Sequence, residues 1–354
     1  MSGESATRAF RLGTFSVAGS APFAGLELDG KALGLHAAAS FLQSQRLSLQ
    51  GADSILGLLE HWADNFPVLQ RIADALGPGG DAQLQSQAVA VSGLRLHPPV
   101  NVPRNIYCSG ANYKKHVVDI IVAQAMVETQ NMTPAERHAF GTRKMDERIA
   151  SGTPYFFCKP QSAIVGPFDP VVIPSDIKTA DWELELGVII GRRARRVTRE
   201  RALDYVAGYT VINDITSREL VNRRDGDVRE MGMNWVLAKG SPTFLPIGPY
   251  LVPAAFVGDP QQLRLTLRLN GEAMQDERTD DMIFGVARLI ENLSSACELL
   301  PGDLICTGSP AGNGVHYKRF LKPGDVLEGE ITAAGIGFGI QRNPCVAESV
   351  DSTR

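Results

Sequence analysis

The sequence has little that would tie the chain to a membrane or to a disulfide framework. Its five cysteines are scattered without a CxxC pair, which argues against a cysteine-based zinc site and for a reducing compartment. The longest apolar run, near residues 117–127, contains Asp119 and Gln124 and is shorter than the roughly 20 residues a bilayer helix needs. No signal peptide is visible at the N-terminus. We therefore expect a cytoplasmic protein that binds no membrane.

An excess of positive charge is also absent. The 354 residues include 35 Lys plus Arg against 39 Asp plus Glu, a net charge of −4, which gives no reason to expect a nucleic acid partner. The hydrophobic fraction of 44% and the charged fraction of 21% are those of a globular protein. At roughly 100–200 residues a domain, the length predicts one large or two ordinary domains.

Residues 1–100 predict a small α+β domain. The segment FAGLELDGKALGL indicates a hairpin with Asp29-Gly30 at its turn. Asp53 is predicted to cap a helix whose apolar residues keep helical spacing as far as Leu76, and residues 89–96 predict one more strand. Prolines 98, 99 and 103 then mark a boundary near residue 100.

Residues 101–354 are rich in predicted strands. Pro301-Gly302 and Pro323-Gly324 are typical of tight turns between them. Such a pattern favours a β-rich α+β fold with a rolled sheet or barrel over a doubly wound parallel sheet. The segments predicted as strands are PYFFCK, AIVGP, ELELGVIIG, YVAGYTVIND, LRLTLRLN, LICTGS and VLEGEI.

A helical insert interrupts this region at about residues 117–152. Its second helix begins with a predicted capping box, in which Thr133 is the N-cap, Pro134 the first helical residue and Glu136 the third. This helix is polar nearly all round and does not build a core. The insert is either a lid over a site or a surface or subunit-contact appendage, and the sequence leaves both open.

Acidic residues lie on two predicted strands. Asp181, Glu183 and Glu185 alternate onto one face of a strand, and Asp214 ends another. An acidic, solvent-facing strand edge would explain the first three, but the apolar residues that follow them are typical of a buried strand. If the carboxylates converge, an oxygen-rich site of this kind suits Mg²⁺, Mn²⁺ or Ca²⁺ better than Zn²⁺.

Three further features are candidates for chemistry. His116 is followed one helical turn later by Asp119, which is close enough to orient an imidazole that acts as a general base. Lys239 precedes a loop and is a candidate for stabilising an oxyanion. The loop at 307–312, TGSPAG, offers backbone N–H groups to a carboxylate but lacks the ending of a phosphate loop. Each also has an ordinary structural explanation as a surface histidine, a snorkelling lysine or a turn.

The order of these motifs is more specific than any one of them. From Asn105 to Ile340 the chain resembles the fumarylacetoacetate hydrolase family. The segments that carry the resemblance are GANYKKH, Lys159-Pro160, DWELELGVIIG, AGYTVINDITSRE, PIGPY, LNGE, DMIF, LLPGDLICTGSPAG and LKPGDVLEGEI. The resemblance implies a small variable N-terminal domain, a mixed β-sandwich roll or barrel as catalytic domain at 101–354, a catalytic divalent metal without an organic cofactor, and a homodimer.

The resemblance also implies roles for individual residues. The catalytic group comprises His116 as activator of water, Asp119 as its partner, and Lys239 as stabiliser of an enolate or oxyanion. The implied metal ligands are Glu183, Glu185 and Asp214, with Mg²⁺ or Mn²⁺ as the metal and Ca²⁺ as a further option. The implied substrate contacts are Tyr113, Lys159, Arg218, Thr307 and Ser309.

Three residues depart from the family pattern. Ser109 stands where longer members place a fourth metal carboxylate, Asp119 is one methylene shorter than the usual glutamate, and Val221 replaces a frequent substrate-binding glutamine. We expect a metal-dependent hydrolase that cleaves a C–C bond in a β-diketo or acylpyruvate-type 2-oxo acid, in the catabolism of aromatic compounds or sugar acids. The alternatives are an isomerase, decarboxylase or hydratase that uses the same enolate, and a metal-stabilised binding protein without catalysis.

Overall fold

Short strands joined by tight turns make up most of the chain. The structure is a computed structural model that describes residues 8–123, 128–222 and 232–349. Its strands are β1 (Arg11–Ser16), β2 (Phe23–Leu28), β3 (Lys31–Gly34), β4 (Val89–Ala90), β5 (Arg95–His97), β6 (Ile106–Gly110), β7 (Tyr155–Cys158), β8 (Ile164–Val165), β9 (Val171–Ile173), β10 (Ala180–Asp181), β11 (Leu184–Ile190), β12 (Val206–Asn213), β13 (Thr216–Ser217), β14 (Leu245–Pro246), β15 (Val252–Pro253), β16 (Arg264–Leu269), β17 (Glu272–Arg278), β18 (Leu304–Cys306), β19 (Val326–Ala333) and β20 (Ile336–Ala347). Its α-helices are α1 (Ala39–Ser44), α2 (Ile55–Glu60), α3 (Trp62–Leu76), α4 (Ala82–Gln87), α5 (Lys114–Ala123), α6 (Pro134–Ser151), α7 (Arg218–Val221), α8 (Trp235–Lys239), α9 (Val286–Ala296) and α10 (Gly314–Tyr317).

The N-terminal residues form a five-stranded sheet in the order β4-β3-β2-β1-β5. The predicted hairpin is confirmed, because β2 pairs antiparallel with β3 and both turn residues, Asp29 and Gly30, have positive φ. Positive φ at both positions is the geometry of a type I′ turn, whose twist matches the flanking strands.

Three N-terminal predictions were wrong in detail. The helix cap is Ser54 and not Asp53, since the Ser54 hydroxyl accepts a hydrogen bond from the N–H of Gly57. The predicted single helix is two, α2 and α3, because His61 between them leaves helical geometry. The predicted strand at 89–96 is likewise divided into β4 and β5 by a 3₁₀ turn at 91–93.

The central sheet has six strands in the order β15-β12-β11-β18-β6-β7. All seven residues of β11 are buried. Leu184, Leu186 and Val188 belong to one hydrophobic core, whereas Ile189 belongs to a second core on the opposite face. The continuous apolar run in β11 therefore reflects a strand that is covered on both sides.

A second sheet, in the order β17-β16-β19-β20-β9, covers one face of the central sheet. Leu265, Leu267 and Phe338 from this sheet lie in the same core as the β11 leucines. Together the sheets form the mixed, β-rich roll that the sequence predicts. The other core joins the N-terminal sheet and α3 to the central sheet, and Leu12 pairs through its backbone with Leu251. The division into two domains at residue 100 stays a prediction.

The predicted insert consists of α5 and α6, apart from residues 124–127, which lie outside the described residues. The capping box at Thr133 and Glu136 is confirmed. Of the α6 residues only Gly141 and Met145 are buried, as expected for a polar helix. Arg148 of α6 donates a hydrogen bond to the carbonyl of Ala111, which ties the helix to the segment before His116. Whether the insert closes over the site stays a prediction.

Within the described ranges, no helix combines the length and the apolar character needed to cross a bilayer.

A substitution at Gly208 tests the packing of the central sheet. A Cβ atom at this position would lie 2.3 Å from the carbonyl oxygen of Val252 on the neighbouring β15. We expect Gly208→Ala to lower the free energy of unfolding by about 1–3 kcal/mol, because β15 must move. Gly93→Ala is the control, since a Cβ there meets no atom within 4 Å. Chemical denaturation measures both, and equal losses would contradict the packing.

Candidate metal centre and active site

Two neighbouring strands bring three carboxylates together. Glu183 directly precedes β11, Glu185 is its second residue, and Asp214 directly follows β12. The antiparallel register pairs Leu184 with Asn213, so all three acids lie at the same end of the sheet. One oxygen atom from each lies within 4.8 Å of the others, and all three residues are buried. The expectation that these acids converge is therefore met.

Two buried lysines compensate part of this negative charge. Lys239 Nζ donates to Glu183 Oε2 at 2.7 Å and to Asp214 Oδ2 at 2.6 Å. Lys159 Nζ donates to Asp214 Oδ1 at 2.6 Å and to two backbone carbonyls. Burial alone would raise the pKa of Glu183, but the charges of Lys239 and Arg218 outweigh burial and hold the pKa below its usual value. Glu183 is therefore ionised at neutral pH.

Glu185 has no such cationic partner among the described residues. Its Oε2 accepts a hydrogen bond from the Gly308 N–H at 2.8 Å. Gly308 has a φ of +93°, and a Cβ there would lie 2.9 Å from the Asn112 Cβ, so the loop needs glycine to approach this closely. Burial, together with the charges of Asp214 and Glu183, raises the pKa of Glu185 well above its usual value. In the part of the chain that the structure describes, Glu185 therefore lacks a paired positive charge that would favour its ionised form.

A divalent cation fits this arrangement. The donors are oxygen atoms, which Mg²⁺, Mn²⁺ and Ca²⁺ prefer. Within the described chain the hydroxyl of Ser109 is buried beside the cluster without a hydrogen-bond partner, and it is free to bond a water or ligand oxygen. Glu183, Glu185 and Asp214 would hold the ion.

Asp181 does not join the carboxylate cluster, contrary to the expectation from alternation. The chain between β10 and β11 is not strand, so the alternation is lost at residues 182–183. Asp181 instead accepts hydrogen bonds from Arg218 Nε at 2.8 Å and from the N–H groups of Gly314 and Val315. Arg218 Nη2 also lies 2.7 Å from Glu183 Oε1. Asp181 therefore positions Arg218 beside the cluster.

His116 contacts a residue that sequence reasoning missed. Its Nδ1 lies 3.1 Å from Nε2 of His316 on α10, with the two rings nearly perpendicular. The described hydrogen bond of the His116 ring is to His316, and the negative charge of Asp119 acts on His316. That Asp119 orients His116 stays a prediction. Burial, followed by the charge of Arg218, lowers the pKa of His116 to about 3. The ring is therefore neutral at pH 7.

These residues surround one cavity of about 600 Å³. The described residues that line it are Ser109, Gly110, Ala111, His116, Ile120, Tyr155, Phe157, Glu183, Glu185, Asp214, Arg218, Val221, Asn222, Gly232, Met233, Trp235, Lys239, Gly308, Ser309 and Val315. The lining includes seven of the residues assigned to the site from the sequence: His116, Glu183, Glu185, Asp214, Arg218, Lys239 and Ser309. Seven side chains from distant parts of the chain thus share one cavity.

The other predicted site residues are not part of the described lining. Lys159 is buried against Asp214, Thr307 Oγ1 donates to the carbonyl of Leu186 at 2.9 Å, and Tyr113 is fully buried. Asp119 is half-buried on α5. Their roles in substrate binding or catalysis stay predictions. No local pattern could have selected His316, which is 200 residues from His116 along the chain.

The family profile described as Fumarylacetoacetate (FAA) hydrolase C-terminal matches residues 105–346, about two thirds of the chain. The chain belongs to the fumarylacetoacetate hydrolase family. The resemblance seen in the sequence is confirmed, and the chain is an enzyme of this family. A solved fumarylacetoacetate hydrolase from Exiguobacterium antarcticum is 27% identical with a TM-score of 0.69, over 96% of this chain and 100% of that chain.

Curated relatives within the family differ in their reactions. A 2,4-didehydro-3-deoxy-L-rhamnonate hydrolase from Sphingomonas sp. is 36% identical over 72% of this chain and 79% of the relative. A human mitochondrial oxaloacetate tautomerase is 36% identical over 67% of this chain and 66% of the relative. The matched segment therefore spans about two thirds of the tautomerase. Family membership alone does not select one of these reactions.

Removing the negative charge of Glu185 should weaken metal binding. Glu185→Gln keeps the side-chain shape and an acceptor for Gly308 but removes the charge. We expect Mg²⁺ or Mn²⁺ to bind the native protein and raise its Tm, and the variant to lose at least about 10- to 100-fold in affinity. Isothermal titration measures the affinity, with the exposed Glu272→Gln as control. Unchanged affinity in Glu185→Gln would show that the ion binds elsewhere.

Substitution of Lys159 should lower the free energy of unfolding. Lys159→Met leaves Asp214 without one of its two buried cationic partners, which costs about 3–5 kcal/mol when a buried ion pair is broken. We expect that loss in the free energy of unfolding, measured by chemical denaturation, with the exposed Lys31→Met as control. Unchanged stability together with a raised KM would instead support the substrate contact implied by the resemblance.

Proposed function

We propose that the chain is a divalent-metal-dependent hydrolase that cleaves the C–C bond of an acylpyruvate-type 2-oxo acid. The products are a carboxylic acid and a pyruvate-like acid. The observation that carries the proposal is the placement of a neutral, buried imidazole, His116, in one cavity with a buried cluster of three carboxylates. One group can accept a proton, and the other can hold a cation.

The bound ion supplies Lewis-acid polarisation of the 2-oxo group. Glu183, Glu185 and Asp214 would hold it, with Mg²⁺ or Mn²⁺ as the expected metal and Ca²⁺ as a further option. Lys159 and Lys239 keep Asp214 and Glu183 oriented by the hydrogen bonds already described. These carboxylates do not have to reorganise when the substrate enters.

His116 is the proposed general base. Its Nδ1 is engaged with His316, so its Nε2 is the atom available to accept a proton. For that role His116 Nδ1 carries the hydrogen and donates it to His316 Nε2, which fixes the tautomer. His116 then removes a proton from a water molecule as the water oxygen bonds to the distal carbonyl carbon.

Bond breaking follows from that addition. The C–C bond next to the distal carbonyl breaks, the acyl carbon leaves as the carboxylic acid, and the electron pair remains on the pyruvate fragment as an enolate. The proton held by His116 returns to the enolate carbon, which balances the reaction with one water consumed. Lys239 and Arg218 line the cavity and contribute positive charge beside the developing enolate.

The second candidate is an isomerase or tautomerase that uses the same enolate without adding water. The 36% identity to an oxaloacetate tautomerase supports it, as does Val221 in the cavity lining in place of a substrate-binding glutamine. Decarboxylation and hydration of a 2-oxo acid use the same groups. A homodimer and a place in the catabolism of aromatic compounds or sugar acids are further parts of the proposal.

Product analysis in H₂¹⁸O tests the reaction. The metal-loaded protein is mixed with acylpyruvates, fumarylpyruvate, oxaloacetate or an unsaturated 2-oxo acid. We expect a pyruvate-like acid and a second acid that carries one ¹⁸O atom, with a rate about 10²–10⁴-fold lower in His116→Ala. Enol–keto conversion without cleavage, or release of CO₂, would replace the hydrolase with the second candidate.

His316 offers a separate test of the base. His316→Leu removes the acceptor for His116 Nδ1–H, whereas His316→Gln keeps an acceptor oxygen. We expect kcat to fall about 10- to 100-fold in the leucine variant and to recover largely in the glutamine variant. Nitrogen-15 NMR of His116 should show the tautomer change only in the leucine variant. His36→Gln, at an exposed histidine, is the control; equal rates in all variants would remove His316 from the mechanism.

A further inference from the structure

The cavity has two unlike walls. One wall carries the carboxylate cluster with its cations and His116. This wall would bind the 2-oxo acid group of the substrate. The lining also includes a set of apolar and aromatic side chains, called the second wall below, which are Ile120, Tyr155, Phe157, Val221, Met233 and Trp235. A volume of about 600 Å³ leaves room beyond a pyruvate-sized head group for a larger substituent on this second wall.

The aromatic residues of the second wall are ordered against each other. The rings of Phe157 and Trp235 stack with centroids 4.6 Å apart and an angle of 12°. Trp235 Nε1 donates a hydrogen bond to the Tyr155 hydroxyl, which fixes the edge of the indole. Lys239 Nζ lies 5.3 Å from the Phe157 ring centre and 5.9 Å from that of Trp235. The aromatic wall therefore begins where the charged wall ends.

The charges of the described lining do not favour a second carboxylate on the substrate. Among the described lining residues, the cations are Arg218 and Lys239. Arg218 is paired with Asp181 and Glu183, and Lys239 with Glu183 and Asp214. A distal carboxylate would thus meet no uncommitted cation in the described lining, and burying it unpaired would be costly.

We propose that the acyl group at the far end of the substrate is aryl or bulky alkyl and packs on the wall around Trp235. This inference rests on the proposed function and narrows it to aroyl- or bulky acylpyruvates, as opposed to dicarboxylic or polyhydroxylated 2-oxo acids. A hydrophobic pocket discriminates by about 10- to 200-fold between substrates that differ by a single methylene. A substrate with an aromatic ring should therefore be preferred by at least about tenfold.

Binding of compounds that cannot be cleaved tests the subsite apart from the reaction. The probe 2-oxo-4-phenylbutanoate lacks the second carbonyl, and 2-oxoadipate carries a carboxylate at its far end. We expect the Mg²⁺-loaded protein to bind the phenyl compound at least about tenfold more tightly, as measured by isothermal titration. Equal affinity, or tighter binding of 2-oxoadipate, would overturn the proposal.

Variants of Trp235 test whether this residue causes the preference for an aryl or bulky acyl group. We expect the ratio of kcat/KM for benzoylpyruvate over acetylpyruvate to be at least about 10 in the native protein, to fall about tenfold in Trp235→Ala, and to be largely kept in Trp235→Phe. Phe168→Ala, at a half-exposed phenylalanine outside this cavity, is the control. A ratio that Trp235→Ala does not change would overturn the assignment to this wall.

The two experiments separate the possible failures. Tight binding of 2-oxo-4-phenylbutanoate without cleavage of benzoylpyruvate would keep the subsite and overturn the hydrolase. Cleavage that favours fumarylpyruvate over benzoylpyruvate would keep the hydrolase and overturn the subsite. Binding of neither 2-oxo acid would overturn both.

Discussion

The site depends on one electrostatic constraint, which is that three carboxylates are buried within 4.8 Å of one another. Two such charges about 4 Å apart repel by about 4 kcal/mol at an effective dielectric near 20. Lys159 and Lys239 offset this repulsion for Asp214 and Glu183, and Glu185 is left with the Gly308 N–H. The register of two strands, the two buried lysines and the glycine loop are all arranged around this cluster.

The same network reaches the proposed base. Arg218 joins the cluster to Asp181, and Asp181 accepts hydrogen bonds from the backbone at the start of α10. That short helix carries His316, whose ring contacts His116. The position of the imidazole is therefore coupled to the carboxylate cluster through a chain of ion pairs and hydrogen bonds.

Features with local causes could be predicted from the sequence. The Asp29-Gly30 turn and the Thr133 capping box need only neighbouring residues, and the convergence of Glu183 with Asp214 followed from the family resemblance. Features with tertiary causes could not. The irregular backbone at residues 182–183 turns Asp181 away from the cluster, and folding brings His316 to His116 across 200 residues. The buried ion pair of Lys159 with Asp214 is a further tertiary feature, because the two residues are 55 positions apart in the chain.

Anomalous diffraction from crystals grown with Mn²⁺ shows whether the carboxylate cluster is a metal centre. We expect one strong anomalous peak within bonding distance of oxygen atoms from Glu183, Glu185 and Asp214, with Lys159 still bonded to Asp214. An absent peak at saturating Mn²⁺, or a peak at other residues, would contradict this assignment.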